Sequence, residues 1–296
     1  MNTIEISQNY NTQAKCIKHL ELVRWKSKPH CPYCSSKRSS TFKNTFRHHC
    51  NACNKSFSVL VGTIFEDTKL PLPKWFMAIS LILNAKKGIS SRQLSRDINV
   101  NKDTAWYMQM RIRRAMAEQA VLLNGIVEVD ETYVGGALRN KTKKYRKAVK
   151  DSGKTITGME HKKPVLGMVQ RGGNVVSQVL IKAHGESIKP VIDKSVERSA
   201  TVITDGFGGY YGLNTKFSEH QIVNHEKDEF VRGTFHTNTI EGFWSILKRS
   251  IIGQYHHVSG KYLQLYVNEC CYKYNNRKNI GLFHSFITSV LTVNST

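Results

Sequence analysis

Two Cys-x-x-Cys knuckles, Cys31-Pro-Tyr-Cys34 and Cys50-Asn-Ala-Cys53, constrain this chain more than any other feature. Each pair can present two thiolates to one tetrahedral ion, and residues 35–49 suit a pair of short strands that return the chain. A module this small draws little folding energy from a core, so a structural Zn²⁺ held by all four thiolates is expected over residues 31–62. With every position on the ion filled, catalysis at the zinc is disfavoured; redox-active or fortuitous cysteines are the alternative. The other three cysteines, Cys16, Cys270 and Cys271, lack partner spacing, and the last two read as buried helix residues.

The chain has 296 residues, with 44 Lys and Arg against 22 Asp and Glu, a formal charge of +22 and a pI near 9.8. Such an excess repels itself and is relieved by a polyanion, so nucleic acid is the first partner to consider. His48 and His49 then read as surface or DNA-contact residues rather than zinc ligands. No stretch approaches the roughly 18 apolar residues of a membrane span, and no signal peptide is recognised, so a soluble intracellular protein without disulfides is expected.

Composition divides the chain into a helical lead-in (1–30), the cysteine module (31–62), a helical region (70–120) and a mixed β and α region (125–290). In the helical region Pro73 suits a helix start and Gly88 its end, Ser90 or Ser91 can cap a short helix, and Asp103 opens a third. A short helix, a tight turn at Asn99–Asn101 and a basic helix with Arg111, Arg113 and Arg114 follow the helix-turn-helix pattern, with a plain three-helix bundle as the alternative.

Beyond Gly125, strands are expected at Ile126–Tyr133, at Val165–Val169 and Val175–Ile181 as a hairpin, at Thr201–Thr204 and at Gln221–Asn224. Helices are expected at 186–198, from Thr237, and from Lys261 to Asn275. Between Arg139 and Lys163, ten Lys or Arg, among them Lys143 and Lys144, face Asp151 and Glu160. This reads as a basic loop for phosphates, or simply a solvated insertion.

The remaining chemistry is acidic. Alternation along Ile126–Tyr133 puts Glu128, Asp130 and Thr132 on one face and Val127, Val129 and Glu131 on the other. Asp205 ends a short β-branched strand ahead of Gly206, where an ordinary Asp-Gly turn is the plainer reading. In the segment His236–Arg249, Glu241 and Lys248 lie two helical turns apart on one face, so an acid can reach a metal while the lysine reaches phosphate; a solvated face is the alternative. Carboxylates suit Mg²⁺, and two bridged ions can serve both oxygens of an in-line phosphodiester displacement.

With these residues in view, the sequence resembles the DDE transposases of insertion sequences, in particular the ISXO-type group related to Merlin elements. The matching stretches are CPYC with CNAC, GTIFEDTKLPLPKWF, VEVDETYVGG, ITDGFGGYYGL and FHTNTIEGFWSILKRSIIGQYHHVS, in order from residue 31 to about 275. The resemblance implies a multidomain chain: a zinc ribbon, a helix-turn-helix and an α/β RNase H-like catalytic domain with a mixed sheet. Asp130 and Asp205 would be the first two acids for Mg²⁺ or Mn²⁺. The third would be Glu241, favoured because a carboxylate binds Mg²⁺ better than an amide, or Asn238.

The implied chemistry is nicking at terminal inverted repeats followed by attack of the 3′-OH on target DNA. Lys248, with Arg249 beside it, would contact phosphate, and a homodimer or larger assembly would join two ends, nucleoid-associated in a bacterial host. Two competing functions are a domesticated, non-catalytic DNA-binding regulator and an RNA-acting nuclease. The three intact acids speak against the first, and the narrow major groove of A-form RNA disfavours the second.

Overall fold

In the computed structural model, every residue is described except 1, 27, 44, 118–120, 137–138, 140, 153–160, 224–234 and 293–296. The chain divides into two units, one of residues 1–115 with 278–296 and one of residues 116–277.

In the first unit the lead-in is two helices, α1 (Thr3–Asn9) and α2 (Gln13–Trp25), each begun by a side-chain cap, Asn2 and Thr12. The cysteine module is a three-stranded antiparallel sheet of β1 (Ser39–Thr41), β2 (His48–Cys50) and β3 (Ser56–Phe57). Three helices follow: α3 (Leu72–Asn84), with Pro73 in its first turn, α4 (Ser91–Asp97), capped by Ser90, and α5 (Lys102–Ala115). Asn99, at φ 49°, turns the chain between the last two. A final helix, α10 (Leu282–Thr292), packs on α2 and α3, with Phe283 against Tyr10 and Phe76. The expected 125–290 domain is therefore shortened, because the apolar run Leu282–Leu291 joins the aromatic core of the first unit.

The second unit is built on a five-stranded sheet. Its strands are β4 (Ile126–Val134), β5 (Lys163–Gln170), β6 (Val175–Val179), β7 (Thr201–Thr204) and β8 (Glu219–Ile222), in the order β6-β5-β4-β7-β8. The β6-β5-β4 pairs are antiparallel and the β4-β7-β8 pairs parallel, so β4 is the centre of a mixed sheet. Gly172, at φ 71°, supplies the left-handed residue of the β5–β6 hairpin. Residue 224, the expected end of the last strand, lies outside the described residues.

Both faces of this sheet are covered. Val127, Val129, Leu166, Met168 and Val202 pack with Ile188 and Ile192 of α7 (Gly185–Ser195) on one side. On the other, Val165, Val169 and Val175 pack with α8 (Asn238–Arg249) and α9 (Leu263–Asn275), including Phe243, Trp244, Leu247, Cys270 and Cys271. Between α8 and α9 the chain forms a π-helical turn, Ser250–Tyr255.

Part of the expected basic loop is α6 (Lys143–Asp151), a helix with no buried side chain. Thr142 caps it through a bond from the Tyr145 N–H (3.2 Å), and no Gly or Pro interrupts it before Gly153, signals that the charge run obscures. Residues 153–160 of that segment lie outside the described residues.

The contact that seats α8 depends on one glycine. Gly167 faces Asp130 across the β4–β5 ladder, and a Cβ there would come within 2.4 Å of the Trp244 ring. Gly167→Ala is expected to force Trp244 outward and lower the unfolding free energy by about 1–3 kcal/mol, measured by urea denaturation.

Candidate functional site

Cys31, Cys34, Cys50 and Cys53 bring their sulfurs within 4.8 Å of one another, the one such cluster of possible metal ligands among the described residues. The Cys31–Cys53 and Cys34–Cys50 separations are both 3.6 Å, near the roughly 3.8 Å edge of a tetrahedron with Zn–S bonds of about 2.3 Å. The two knuckles share one backbone design. Ser35 N donates to Cys31 O and Asn54 N to Cys50 O, and both residues hold positive φ, 59° and 56°. The donor set and its spacing fit a structural zinc. His48 is buried, bonded to Glu21 (2.9 Å) and Thr41 (3.1 Å), which corrects its reading as a surface residue; it braces the ribbon against α2.

In the second unit the centre is β4. Its pairing with β7 sets Glu128 opposite Ile203, and Asp205, just past the end of β7, lies near enough for its charge to act on Asp130. On the α8 side of the strand, Glu128 is fully buried and accepts four hydrogen bonds. They come from the Thr239 N–H (2.8 Å), the Thr239 hydroxyl (2.8 Å), the Ile240 N–H (3.1 Å) and Arg171 Nε (2.8 Å). Arg171 also donates to the His236 carbonyl (3.1 Å). Thr237 precedes α8 without a side-chain cap, so a carboxylate 111 residues earlier satisfies the helix N-terminus.

Asp130 accepts a hydrogen bond from the Trp244 indole (2.8 Å). Burial pushes its carboxyl up to about 6; the indole opposes this, and the charges of Asp205 and Glu241 add to the rise. Asp205 also accepts from the Phe207 N–H (3.0 Å), the Asx turn that ends the strand. Glu241 is exposed on α8 and accepts from the Thr237 hydroxyl (3.1 Å). Asn238 is exposed at the first position of the helix. The carboxylates of Asp130, Asp205 and Glu241 are near enough to couple, yet do not close to the 4.8 Å span of the cysteines.

Sequence reasoning missed a fourth acid. Glu131 points to the α7 side and takes a hydrogen bond from the Tyr210 hydroxyl. Burial pushes Glu131 up to about 7, the Tyr210 bond opposes it, and Asp205 and Asp130 add to it; Tyr210 rises in turn. Alternation placed Glu131 correctly, but the pairing with a tyrosine 79 residues on has no local signal.

The basic candidates separate. Lys248 and Arg249 are exposed at the end of α8, Lys143 and Lys144 are exposed on α6, and Arg114 is exposed on α5. Arg113 is 1% exposed, because helical spacing aligns it with Ala105, Met108, Gln109 and Ile112 on the inner face, so it is not presented to a groove. Arg111 donates to the Glu66 (2.9 Å) and Thr63 (3.2 Å) carbonyls and to the Tyr107 hydroxyl (2.7 Å), tying α5 to the turns after the ribbon. The outer face of α5 instead carries Trp106 and Tyr107 with Arg114.

A cleft of about 560 Å³ opens beside Glu131, lined also by Tyr133, Lys248 and the turn after α8.

Two outcomes follow from this geometry. Glu128→Ala strands Arg171 and two helix N–H groups, and is expected to cost about 3–5 kcal/mol in chemical denaturation. Glu131 has a folded value near 7 against an ordinary 4.5, so its contribution to stability is present below about 4.5 and lost as pH rises through about 7. Glu131→Gln should therefore raise the melting temperature over the unaltered protein at pH 8 and change it little at pH 4.

A family model described as a transposase zinc-ribbon domain matches residues 11–56, and one described as an ISXO2-like transposase domain matches residues 122–275. A protein in transposable element ISH50 of Halobacterium salinarum is 30% identical over 240 residues, 78% of this chain and 80% of its own length. Among solved structures, a chain of the simian T-cell lymphotropic virus intasome in complex with PP2A regulatory subunit B56 gamma is 12% identical. It covers 65% of this chain and 64% of its own, with a TM-score of 0.28, a likeness too slight to define a fold. No helix among the described residues is long and apolar enough to cross a membrane. The transposase match spans more than half of the chain and lies behind a zinc ribbon whose four cysteines converge, and the chain belongs to the ISXO2-like transposase family.

Proposed function

We propose that the second unit is an RNase H-like domain that cuts and joins DNA strands at the terminal inverted repeats of its element, with Asp130, Asp205 and Glu241 holding two divalent ions. The observation that carries this is the electrostatic state of Asp130. It is a half-buried carboxylate pressed by two further acids, and it accepts a hydrogen bond from the neutral indole of Trp244. Such a cluster is costly unless cations complete it. Ions about 3.5–4 Å apart, each about 2 Å from its oxygens, suit three acids spread wider than a single-ion cage.

Mg²⁺ or Mn²⁺ bound there would activate the attacking oxygen and stabilise the leaving one. In the first step a water oxygen bonds to phosphorus as the P–O3′ bond breaks, leaving a 3′-OH; in the second that hydroxyl oxygen would bond to a target phosphorus as the target's own P–O3′ bond breaks, its proton passing to solvent and the target strand leaving as a free 3′-OH. The chain's own residues supply the frame. Glu128 and Arg171 fix the start of α8, Trp244 orients Asp130, and Lys248 with Arg249 lies where DNA phosphate would pass. Glu241 is favoured over Asn238 because its charge is felt at Asp130 and a carboxylate is the better ligand.

The mixed sheet centred on β4 supports the RNase H-like reading, and the short α4, the turn at Asn99 and the longer α5 support a helix-turn-helix. Trp106, Tyr107 and Arg114 would then meet the groove, with Lys143 and Lys144 of α6 on the phosphates. Joining two element ends calls for a dimer or larger assembly.

The test supplies the purified protein with duplexes copying the DNA that flanks its own gene, with Mg²⁺, Mn²⁺ or neither. Metal-dependent nicking and strand transfer are expected. Asp130→Ala and Asp205→Ala should each reduce them by about 10³-fold or more while duplex affinity changes by less than about threefold. Binding without cutting by the unaltered protein would reveal a regulator instead, and cutting by Asp130→Ala would refute the site.

A further inference from the structure

The cleft beside Glu131 has features that cutting alone does not require. Its volume of about 560 Å³ falls in the range of roughly 300–1,000 Å³ in which proteins bind small organic groups. It begins at Glu131, the residue after Asp130, and runs along the end of β4 through Tyr133 to Gly135 and Gly136. Gly135 holds φ 151°, and a Cβ there would press on Lys162 at 3.3 Å, so a glycine is required where the chain leaves β4 along the cleft.

The opposite lining comes from the end of α8 and the π-helical turn behind it. Widened turns of this kind are rare and recur at functional sites. His256 ends the turn at φ 59°, a conformation unfavourable for a residue with a Cβ and kept only where its surroundings hold it. Ile252, on the turn, is 69% exposed and lines the cleft.

The chemistry of the lining is mixed. Ile251, Ile252 and Val258 are aliphatic, Lys162 and Lys248 are cationic, and Tyr133 and His257 add rings with polar atoms. A groove that only tracked phosphates would need the cations and not the aliphatic side chains. A nucleobase, by contrast, has apolar faces and a polar edge and arrives attached to a phosphate. A duplex is too wide to enter a cavity of this size, whereas one nucleotide turned out of the stack fits it.

We propose that this cleft receives a single unstacked nucleotide adjoining the phosphate at which the strand is cut or joined. Its base lies against Ile251, Ile252 and Val258, and its phosphate lies toward Lys248 and Lys162. The assignment rests on the reading of Asp130, Asp205 and Glu241 as the cutting site, because Glu131, in the lining, and Asp130 are consecutive residues of β4. Turning out a base is easiest where pairing is already lost, so the cleft also favours frayed or mismatched ends.

The element's end and the target both offer such a nucleotide, and the test separates them. 2-Aminopurine, whose fluorescence is quenched while it is stacked, replaces one base at a time around the cut in a duplex copying the DNA that flanks the gene. A second set of duplexes carries it around the target junction. Binding of the full-length, zinc-loaded protein is followed by anisotropy of a distant dye, and cutting is followed in Mg²⁺.

One position beside the reacting phosphate is expected to brighten about fivefold on binding, and its neighbours much less. Ile252→Trp fills the cleft at an exposed position. It should abolish that rise with binding retained and slow cutting of the paired end about tenfold, while an end lacking that one base is cut at nearly the unaltered rate. Brightening confined to the target set supports the cleft and assigns the nucleotide to the target. A bound complex in which no position brightens, or one that brightens equally with Ile252→Trp, overturns the proposal. Cutting without brightening removes the cleft and leaves the acids, and brightening without cutting does the reverse.

Discussion

The second unit is organised around the seating of one helix on one strand. Glu128 gives up water completely, and a bare buried carboxylate would be prohibitive. It is tolerated because Arg171 neutralises it and the first turn of α8 donates two backbone N–H groups and a hydroxyl to it. The bond set is directional, so it fixes where α8 begins and how it is rotated on the sheet. Ile240, Phe243, Trp244 and Leu247 then fall on the sheet and Glu241 off it. Any site that uses both β4 and α8 inherits its geometry from this joint. Gly167 acts at the same place from β5, leaving the volume into which Trp244 settles.

The first unit is held differently. Its ribbon strands are two or three residues long and cannot persist alone, so the four sulfurs must be drawn together by an ion for the sheet to form. Around that staple the aromatic side chains do the packing: Trp25 meets Phe57 and His48, while Phe65, Trp75 and Phe76 join Tyr10 and Phe283. Arg24 and Arg111 each reach carbonyls in the segment Val59–Glu66, a run of turns outside any helix or strand. Arg111, which the sequence offers as a DNA contact, is thus a structural tie like Arg24, since a guanidinium can satisfy several carbonyls at once.

What was legible in the sequence was local. The knuckle spacing, the alternation of β4, the Gly-rich hairpin and the cap at Ser90 depend on neighbours a few residues apart, and the elements they imply are present. What was hidden depends on distant partners. Arg113 differs from Arg114 by one residue and 100° of helix, and only the packing of α5 says which is buried. The C-terminal helix reads as a continuation of the second unit until its apolar face is seen against α2 and α3. The acids sit between these cases. Periodicity put Glu128 and Asp130 on one face, yet nothing nearby in the chain told that one would be neutralised and the other would not.

That difference separates frame from chemistry. Glu128 and Asp130 are two residues apart on the same face of β4 and meet the same helix, yet Glu128 receives a guanidinium and Asp130 an indole. An arginine supplies charge as well as direction, which leaves a carboxylate satisfied and inert. A Trp N–H orients one oxygen without cancelling its charge, so Asp130 stays exposed to the repulsion of Asp205 and Glu241. In a chain with twice as many basic as acidic residues, a cluster of acids to which no lysine or arginine among the described residues is seen to pair is conspicuous. Pairing Asp130 with a fixed cation would stabilise the protein and close the site. Leaving it with a neutral donor keeps the fold under electrostatic strain that a mobile divalent ion can relieve, and in the proposed chemistry that strain is what draws the ions to the strand rather than to any other acid on the surface.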